Sequence, residues 1–281
     1  MPFASVPAAV RRTEVEVDGL PASYLVAGED RDPDVLLVHG TYWSRVWLPV
    51  MPALAAAGLR PIAVDLPGLG HSGGELTVET AAVPALAAWV ARFAAALGLP
   101  EPLRVAGHDI GGAVAQHLLT GDAPRVERLA LVNSVTYDSW PVPAVARFRD
   151  PAARAAVTVE ELLASRRTAL TAALGRPAGE QEIAEYLQPW TEPRTARSWL
   201  CLAAAADSRH TLSQVPALAA SAAPKLLVWG EEDRFQPITY AERFAAEMPR
   251  TELVRVPGAG HIPMENDADA VARALADFFT A

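Results

Sequence analysis

The feature that most constrains this fold is a series of short, wholly apolar runs that alternate with longer helical patterns. The first run, Val35 to Val38, ends at a histidine followed by a glycine. Such runs fit strands that are buried on both faces, as in parallel sheets covered by helices. Further runs lie at Ile62 to Val64, Leu103 to Ala106, Leu129 to Val132, Lys225 to Trp229 and Leu253 to Val256. The alternation predicts an α/β fold, with a mostly parallel sheet flanked by helices.

Two departures from this alternation shape the predicted architecture. Near the N-terminus, Glu14 to Val17 and Ser23 to Val26 flank the turn signal Asp18-Gly19, which predicts a hairpin. Between residues 135 and 212 there is no strand pattern, and stretches rich in Pro, Trp, Arg and Ala predict helices. We therefore expect a core in two parts, residues 1–134 and 213–281, and an inserted helical cap at 135–212.

Composition and charge limit the classes of function. The net charge is −9 without a basic cluster, which argues against nucleic acid and anionic membranes as partners. The single cysteine, Cys201, allows no internal disulfide and fits a reducing compartment. No apolar segment has the length of a membrane span, and no basic region precedes an apolar run at the N-terminus. A cytoplasmic protein without a signal peptide is expected.

The segment Gly107 to Gly111 carries the clearest chemical signal. It reads Gly-His-Asp-Ile-Gly directly between a predicted strand and a predicted helix, which is the form of a nucleophile elbow. Glycines are needed there because the turn is so tight that neighbouring backbone leaves no room for Cβ atoms. Asp109 would then stand at the helix N-terminus, where the backbone N–H of Ile110 can stabilise an anion.

Two other polar groups follow predicted strands. Asp233 comes shortly after the run that ends at Trp229, and His261 comes after the run that ends at Val256. Ligands of open α/β sheets bind outside the carboxyl ends of the strands. The pattern therefore predicts that Asp109, Asp233 and His261 lie at one edge of the sheet.

Together with His39-Gly40, the glycine-rich Asp65 to Gly73 and Gly260-His261, these residues resemble the α/β-hydrolase fold family over nearly the whole chain. The resemblance implies a nucleophile at Asp109, a base at His261 and an orienting acid at Asp233. It also implies an oxyanion site between the N–H groups of Ile110 and Thr41. Within the family, aspartate at the elbow resembles the epoxide hydrolases and the haloalkane or haloacetate dehalogenases.

An aspartate nucleophile favours a particular chemistry. Its carboxylate is ordinarily ionised at pH 7 and needs no base to attack a carbon that bears a leaving group. The product is an alkyl-enzyme ester, whereas attack on a carboxylic ester would give a reactive anhydride, so esterase activity is disfavoured. His261 would then activate water to hydrolyse the Asp109 ester, oriented by Asp233. No cofactor is expected, and no His, Cys or Asp spacing predicts a metal site.

The leaving group stays open at this point. The family's haloalkane dehalogenases place Trp after the nucleophile, and the haloacetate enzymes place Arg there. Ile110 is neither, so epoxide hydrolysis to a diol is placed ahead of dehalogenation. Further substrate contacts are predicted from hydroxyl and indole donors at Tyr42, Trp43, Tyr137, Trp140 and Tyr186. The predicted cap arginines Arg166, Arg167, Arg194 and Arg197 are interpreted as solvated helix charges.

Other classes of function remain. Asp109 and His261 could serve as base and acid of a non-hydrolytic cyclase or isomerase in small-molecule biosynthesis. A catalytically silent binding protein is disfavoured because nucleophile, acid and histidine are all in place. The expected partner is a small, largely apolar substrate together with water. The oligomeric state is left open, a homodimer included.

Overall fold

A computed structural model describes residues 9–30 and 32–281, and within them eight strands form one sheet. The strands are β1 (Val10–Val17), β2 (Leu20–Ala27), β3 (Asp34–Val38), β4 (Arg60–Val64), β5 (Leu103–Asp109), β6 (Val126–Ser134), β7 (Lys225–Gly230) and β8 (Thr251–Val256). β1 and β2 form the predicted hairpin, and β2 also pairs antiparallel with β4. Every other pairing is parallel, which confirms the predicted mostly parallel sheet. Residues 1–8, where the signal-peptide prediction and the start of the predicted core fall, lie outside the described residues.

The helices flank the sheet and fill the strandless region. Before β6 lie the 3-10 helix Ser44–Trp47, α1 (Met51–Ala56), α2 (Val83–Ala96) and α3 (Ile110–Thr120). Between β6 and β7 lie α4 (Pro143–Ala146), α5 (Pro151–Ala155), α6 (Val159–Leu174), α7 (Glu180–Leu187), α8 (Pro193–Ala205), α9 (Arg209–Leu212) and α10 (Val215–Ala220), with 3-10 helices at Arg147–Arg149 and Gln188–Thr191. After β7 lie α11 (Ile238–Glu247), α12 (Pro263–Asn266) and α13 (Ala268–Thr280).

Local sequence sets the starts of two helices. α2 begins at Val83, because Pro84 lacks an N–H and fits only the first turn. The final helix, α13, begins at Ala268. There the side chain of Asp267 accepts a hydrogen bond from the N–H of Ala270 at 3.0 Å. His261 lies in the loop before α12.

The strand order β1-β2-β4-β3-β5-β6-β7-β8 reverses at β3. The chain adds β4 on one side of β3 and then returns to add β5 on its other side. The loops after β3 and β5 leave in different directions at such a switch point and open a crevice between them. Val38, which ends β3, pairs with Gly107 of β5. The loop after β3 therefore lies beside Asp109.

The core lies between the sheet and its helices. All four apolar residues of β3, from Val35 to Val38, are at most 1% exposed, as expected for a strand covered on both faces. α2 packs against α3, and α1 packs against α13. None of the described helices has both the length and the apolarity needed to cross a bilayer.

Candidate active site

Asp109 occupies a sharp turn between β5 and α3. Its backbone has φ 55° and ψ −126°, a conformation that residues other than glycine rarely adopt. A Cβ atom on Gly107 would lie 2.4 Å from the carbonyl oxygen of Gly111, and one on Gly111 would lie 2.2 Å from the carbonyl oxygen of Val38. Both contacts are far below van der Waals distance. Only glycine therefore fits at either position, as the sequence indicated.

The structure brings Asp109, Asp233 and His261 together. His261 Nδ1 lies 2.8 Å from Asp233 Oδ2, and His261 Nε2 lies 3.9 Å from Asp109 Oδ1. The first distance is a hydrogen bond, and the second is too long for one. The backbone N–H of His261 donates to Ala173 O at 2.8 Å. Its carbonyl oxygen lies 2.8 Å from Nε2 of His108, so the histidine loop is fixed from both the helical segment and the elbow.

Asn133 is a site residue that sequence reasoning missed. Its Nδ2 donates to Asp233 Oδ2 at 2.7 Å, and its Oδ1 accepts from the N–H of Gly230 at 2.9 Å. The other oxygen of Asp233, Oδ1, accepts from the N–H groups of Phe235 and Gln236 at 2.7 and 3.1 Å. The sequence did contain a signal for it. Asn133 is a polar residue directly after the apolar run of β6, at the carboxyl end of that strand, where ligands of such sheets bind.

Burial and charge set the protonation of this group. Burial lowers the pKa of His261 because it disfavours the cation, but the carboxylates of Asp233 and Asp109 act more strongly in the opposite direction. The pKa of His261 therefore lies above its ordinary value. Burial raises the pKa of Asp233, but His261 and the hydrogen bond from Asn133 hold this pKa below its ordinary value. An ionised Asp233 can thus stabilise the imidazolium of His261.

The neighbouring His108 does not compete as a base. Burial, followed by the charge of His261, lowers the pKa of His108 to about 4. The ring is therefore neutral at pH 7. Its Nε2 faces the carbonyl oxygen of His261, so Nε2 carries the proton, and its buried Nδ1 has no hydrogen-bond partner among the described residues.

The loop after β3 supplies a donor to Asp109. The backbone N–H of Thr41 donates to Asp109 Oδ2 at 3.0 Å, while Ile110 begins α3 directly after Asp109. His39 fixes this loop from inside the core. Its Nε2 accepts from the N–H of Leu66 at 2.9 Å, so its Nδ1 carries the proton that faces Gly40 O. The N–H of Thr41 thus binds the Asp109 carboxylate, and an oxyanion site between Thr41 and Ile110 stays a prediction.

A cavity of about 170 Å³ lies over Asp109. Its lining includes Thr41, Tyr42, Asp109, Ile110 and His261 from the sheet side, and Trp140, Phe148, Arg166 and Trp199 from the helical segment. An apolar protein cavity of about 150 Å³ can hold benzene. A ligand with about six non-hydrogen atoms therefore fits here.

Two predicted substrate contacts line this cavity. Burial raises the pKa of Tyr42 to about 12, so its hydroxyl is neutral and can donate a proton in a hydrogen bond. Trp140 presents its ring rather than its N–H, because its Nε1 donates to Thr211 Oγ1 at 2.8 Å. Tyr42 is thus the better placed of the two to bind a polar group.

Three predicted substrate contacts lie outside the lining of this cavity. Trp43 Nε1 donates to the carbonyl oxygen of Tyr186 at 3.2 Å. The hydroxyl of Tyr186 donates to Glu265 at 2.7 Å, and that of Tyr137 donates to Glu247 at 2.9 Å. Each polar atom is thus engaged by a protein partner away from Asp109.

The prediction that Arg166 is a solvated charge is wrong. Arg166 is only 7% exposed and lines the cavity. It lies four residues from both Leu162 and Leu170, which are buried on that face of α6 together with Leu174. This spacing was the overlooked signal, because residues i and i+4 share a helix face. The adjacent Arg167 is exposed and pairs with Glu180 at 2.8 Å.

A mostly parallel sheet, with a nucleophile elbow and an acid–histidine pair at its strand ends, defines an α/β hydrolase. The sequence profile of the alpha/beta hydrolase family matches residues 35–274, and the chain belongs to that family.

Relatives with assigned activities extend this conclusion. A haloalkane dehalogenase of Bradyrhizobium diazoefficiens is 28% identical, over 97% of this chain and 95% of its own length. A pimeloyl-[acyl-carrier protein] methyl ester esterase of Aeromonas hydrophila is 30% identical, over 82% of this chain and 89% of its own length. The crystal structure of an alpha/beta hydrolase fold protein from Burkholderia ambifaria superimposes with a TM-score of 0.84, covering 98% of this chain and 99% of that one at 24% identity. The protein is therefore an enzyme of the hydrolase class.

Proposed function

We propose that this hydrolase displaces a leaving group from a saturated carbon through an ester on Asp109. The observation that carries the proposal is the elbow carboxylate itself. Its Oδ2 is held by the N–H of Thr41 at 3.0 Å. Oδ1 has no backbone donor among the described residues and is the oxygen that lies 3.9 Å from His261 Nε2. In the first step Oδ1 attacks the substrate carbon, and the leaving group departs with the bonding electrons.

The second step hydrolyses the ester. His261 Nε2 takes a proton from water, and the oxygen of that water attacks Cγ of Asp109. The negative charge that develops on Oδ2 is stabilised by the N–H groups of Thr41 and Ile110. Collapse of this intermediate expels the alkoxide, which takes from His261 the proton that the histidine had removed from water. The net change is R–X plus water to R–OH, X⁻ and H⁺.

Halide is the leaving group that we propose. Haloalkane dehalogenases are among the relatives that align over nearly the whole chain. Trp199 lines the cavity, and its buried Nε1 has no hydrogen-bond partner among the described residues. An indole N–H is a donor without acceptor capacity, which suits a halide ion. Dehalogenation thus moves ahead of the epoxide reaction that the sequence favoured.

Epoxide hydrolysis remains the second candidate because of Tyr42. The hydroxyl-bearing ring of Tyr42 lines the cavity, and the guanidinium of Arg166 lies 5.1 Å from its centroid. A tyrosine hydroxyl can donate its proton in a hydrogen bond, so it can serve the oxygen of an opening epoxide. Neither of the other two predicted cap tyrosines joins it in the lining.

We also propose that residues 135–212 act as a cap and that the two flanking parts form the hydrolase core. The helices α4 to α9 fall within this segment, and Trp140, Arg166 and Trp199 cover Asp109 from it. Exchange of cap side chains would then change the substrate and leave the core chemistry in place. A cytoplasmic location is proposed on the single cysteine, Cys201, which allows no internal disulfide.

The test is to look for the ester. The protein is incubated with a panel of small haloalkanes, haloacids and epoxides, and turnover is measured as halide or diol release. Excess enzyme is then turned over in ¹⁸O-water with the active substrate, and label in the Asp109 carboxylate is read by peptide mass spectrometry. We expect one ¹⁸O atom at Asp109. Turnover without label would refute the ester and favour the non-hydrolytic or direct acid–base alternatives.

A variant isolates the second step. His261→Gln should release one equivalent of leaving group and accumulate an alkylated protein, visible as a mass increase of the intact chain. His210→Gln, a histidine outside the cavity lining, is the matched control and should turn over normally. If His261→Gln keeps full turnover and traps nothing, the assignment of the base is wrong.

A further inference from the structure

Arg166 is a buried cation at the cavity for which the proposed ester chemistry has no use. It is 93% buried, since its exposed fraction is 7%. Its Nε has no hydrogen-bond partner among the described residues. The partners that act on its charge are the hydroxyl of Tyr42 and, across the cavity, the carboxylate of Asp109. A neutral haloalkane would give this guanidinium no anion to bind until the halide has left.

Aromatic faces hold the guanidinium without satisfying its donors. Its Cζ lies 4.6 Å from the ring centroid of Trp199, 4.9 Å from that of Trp190 and 5.1 Å from that of Tyr42. Such cation–π contacts offset part of the desolvation of the charge. They leave the Nε–H donor without a partner among the described residues, and arginine cannot lose its proton to escape burial. The cage therefore presents a fixed positive group that is matched to a planar anion.

The charges that line the cavity are divided between its two sides. Of the described residues that line it, Asp109 is the only carboxylate. Arg166 lies on the cap side, and Arg147 lies at the exposed end of the same lining. A protein with a net charge of −9 thus has a cationic cap side in this cavity. The cationic side attracts an anion and the carboxylate side repels it, so an anionic ligand is oriented with its charge toward Arg166.

An anionic substrate also explains why a cation is needed here. A carboxylate nucleophile and an anionic substrate repel each other, and the repulsion is strongest in a buried, weakly screened site. A guanidinium that holds the substrate anion removes this repulsion and leaves the other end of the molecule facing Asp109. The cavity of about 170 Å³ then sets the size at about six non-hydrogen atoms.

We propose that Arg166 binds the carboxylate of a short 2-haloalkanoate and turns its halogen-bearing carbon toward Asp109. This inference rests on the proposed Asp109 ester. Oδ1 of Asp109 displaces halide from C2 and forms the ester. Water activated by His261 then releases a 2-hydroxyalkanoate and a proton, so that haloacid and water give hydroxyacid, halide and H⁺.

The first experiment measures binding without chemistry. Propanoate and its neutral isostere propanamide are titrated into the wild-type protein by isothermal calorimetry at constant ionic strength. We expect propanoate to bind and propanamide to bind at least about tenfold more weakly, as for the loss of a charge-assisted hydrogen bond. Equal affinity for both ligands would overturn the proposal, and this comparison needs no variant.

Variants locate the site. Arg166→Met should weaken propanoate binding by about 10- to 100-fold, and Arg166→Lys should retain part of it, since lysine keeps the charge but not the planar donors. Arg167→Met is the matched control on the same helix and should bind as the wild type. Melting temperatures of all variants show whether each is folded. If Arg166→Met and Arg166→Lys bind propanoate as tightly as the wild type, Arg166 is not the anion site.

Turnover separates this inference from the function on which it rests. The ratio of kcat/KM for 2-chloropropanoate to that for 1-chloropropane should exceed one in the wild type and fall by about 10- to 100-fold in Arg166→Met. Propanoate binding through Arg166 without any ester at Asp109 would refute the proposed function alone. An ester formed equally well from 2-chloropropanoate in wild type and Arg166→Met would refute the anion site alone.

Discussion

Replacing Asp233 by asparagine tests how this acid supports His261. Each oxygen of Asp233 accepts two hydrogen bonds in the structure. Oδ2 accepts from His261 Nδ1 and Asn133 Nδ2 at 2.8 and 2.7 Å, and Oδ1 accepts from the N–H groups of Phe235 and Gln236 at 2.7 and 3.1 Å. Asparagine has the same shape but one acceptor oxygen and one NH₂ donor. Its NH₂ group must therefore face two of these four donors.

Both orientations of the asparagine are unfavourable, with different consequences. If its NH₂ faces the N–H groups of Phe235 and Gln236, buried donors are left unsatisfied at about 1–3 kcal/mol each. If its NH₂ faces His261 instead, Nδ1 must become the acceptor and the proton moves to Nε2. We expect the second arrangement, because an imidazole can change its tautomer, whereas the backbone N–H groups of Phe235 and Gln236 cannot lose their protons. His261 then cannot accept a proton from water.

The size of the effect follows from the lost bond and the wrong tautomer. A hydrogen bond to a charged group contributes about 1.5–3 kcal/mol, which is about 10- to 100-fold in rate. The tautomer adds to this, and the same substitution in the triad of a serine protease lowers kcat by about 10⁴-fold. Hydrolysis of the Asp109 ester should therefore slow by about 10²- to 10⁴-fold. Formation of the ester should stay close to the wild-type rate, because that step does not use His261.

The assay is rapid quenching followed by intact-protein mass spectrometry, with the substrate found active in the panel. Asp233→Asn should release a burst of leaving group equal to the enzyme concentration and then accumulate alkylated protein. Glu232→Gln is the matched control, since Glu232 is the exposed neighbour of Asp233. If Asp233→Asn slows ester formation and hydrolysis alike, or accumulates no ester, Asp233 does not act through the base function of His261.

Three further predictions follow from the geometry. The pKa of His261 is raised above 6.5, so ester hydrolysis should fade as the pH drops through that raised value, because the imidazolium cannot take a proton; single-turnover pH profiles check this. Gly111→Ala should lower the free energy of unfolding in urea melts by about 1–3 kcal/mol or more, since its Cβ would lie 2.2 Å from a carbonyl oxygen of β3. Gly179→Ala is the control, because its Cβ enters open space and should cost far less. Tyr42→Phe should change kcat or KM and Tyr137→Phe should change neither, because only the first of these tyrosines lines the cavity; equal effects in steady-state kinetics would contradict this placement.

The sheet and the elbow could be predicted from the sequence because their signals are local. An apolar run such as Val35 to Val38 reports burial on both faces without reference to the rest of the chain. The glycines at 107 and 111 report a tight turn in the same way. The carboxyl ends of parallel strands meet at one edge of the sheet. Asp109 and His261 could therefore be expected near each other, although they lie 152 positions apart in the sequence.

The contacts of the helical segment could not be predicted in this way. Whether a tyrosine reaches the cavity depends on how short helices pack, and Tyr137 and Tyr186 are drawn instead to the carboxylates of Glu247 and Glu265. Arg166 was missed for a different reason. Its charge suggested solvent, although its helical spacing from two buried leucines indicated the core, and the aromatic cage that makes burial tolerable forms only in the folded chain.

Asp109, the proposed nucleophile, has a strained backbone conformation that the packing around it maintains. A non-glycine residue at φ 55° costs about 1–3 kcal/mol, and it persists only where its surroundings determine the conformation. Here Gly111 packs onto the carbonyl oxygen of Val38, and the loop after β3 binds Asp109 through the N–H of Thr41. The packing of Gly111 does not depend on which side chain stands at position 109, whereas the N–H of Thr41 binds the carboxylate itself. A turn of this kind can therefore carry either a serine or an aspartate nucleophile. The relatives of this chain include both a methyl ester esterase and a haloalkane dehalogenase. Under the proposed function, Asp109 selects the reaction and the cap selects the substrate, so a change of substrate need not disturb the strained turn.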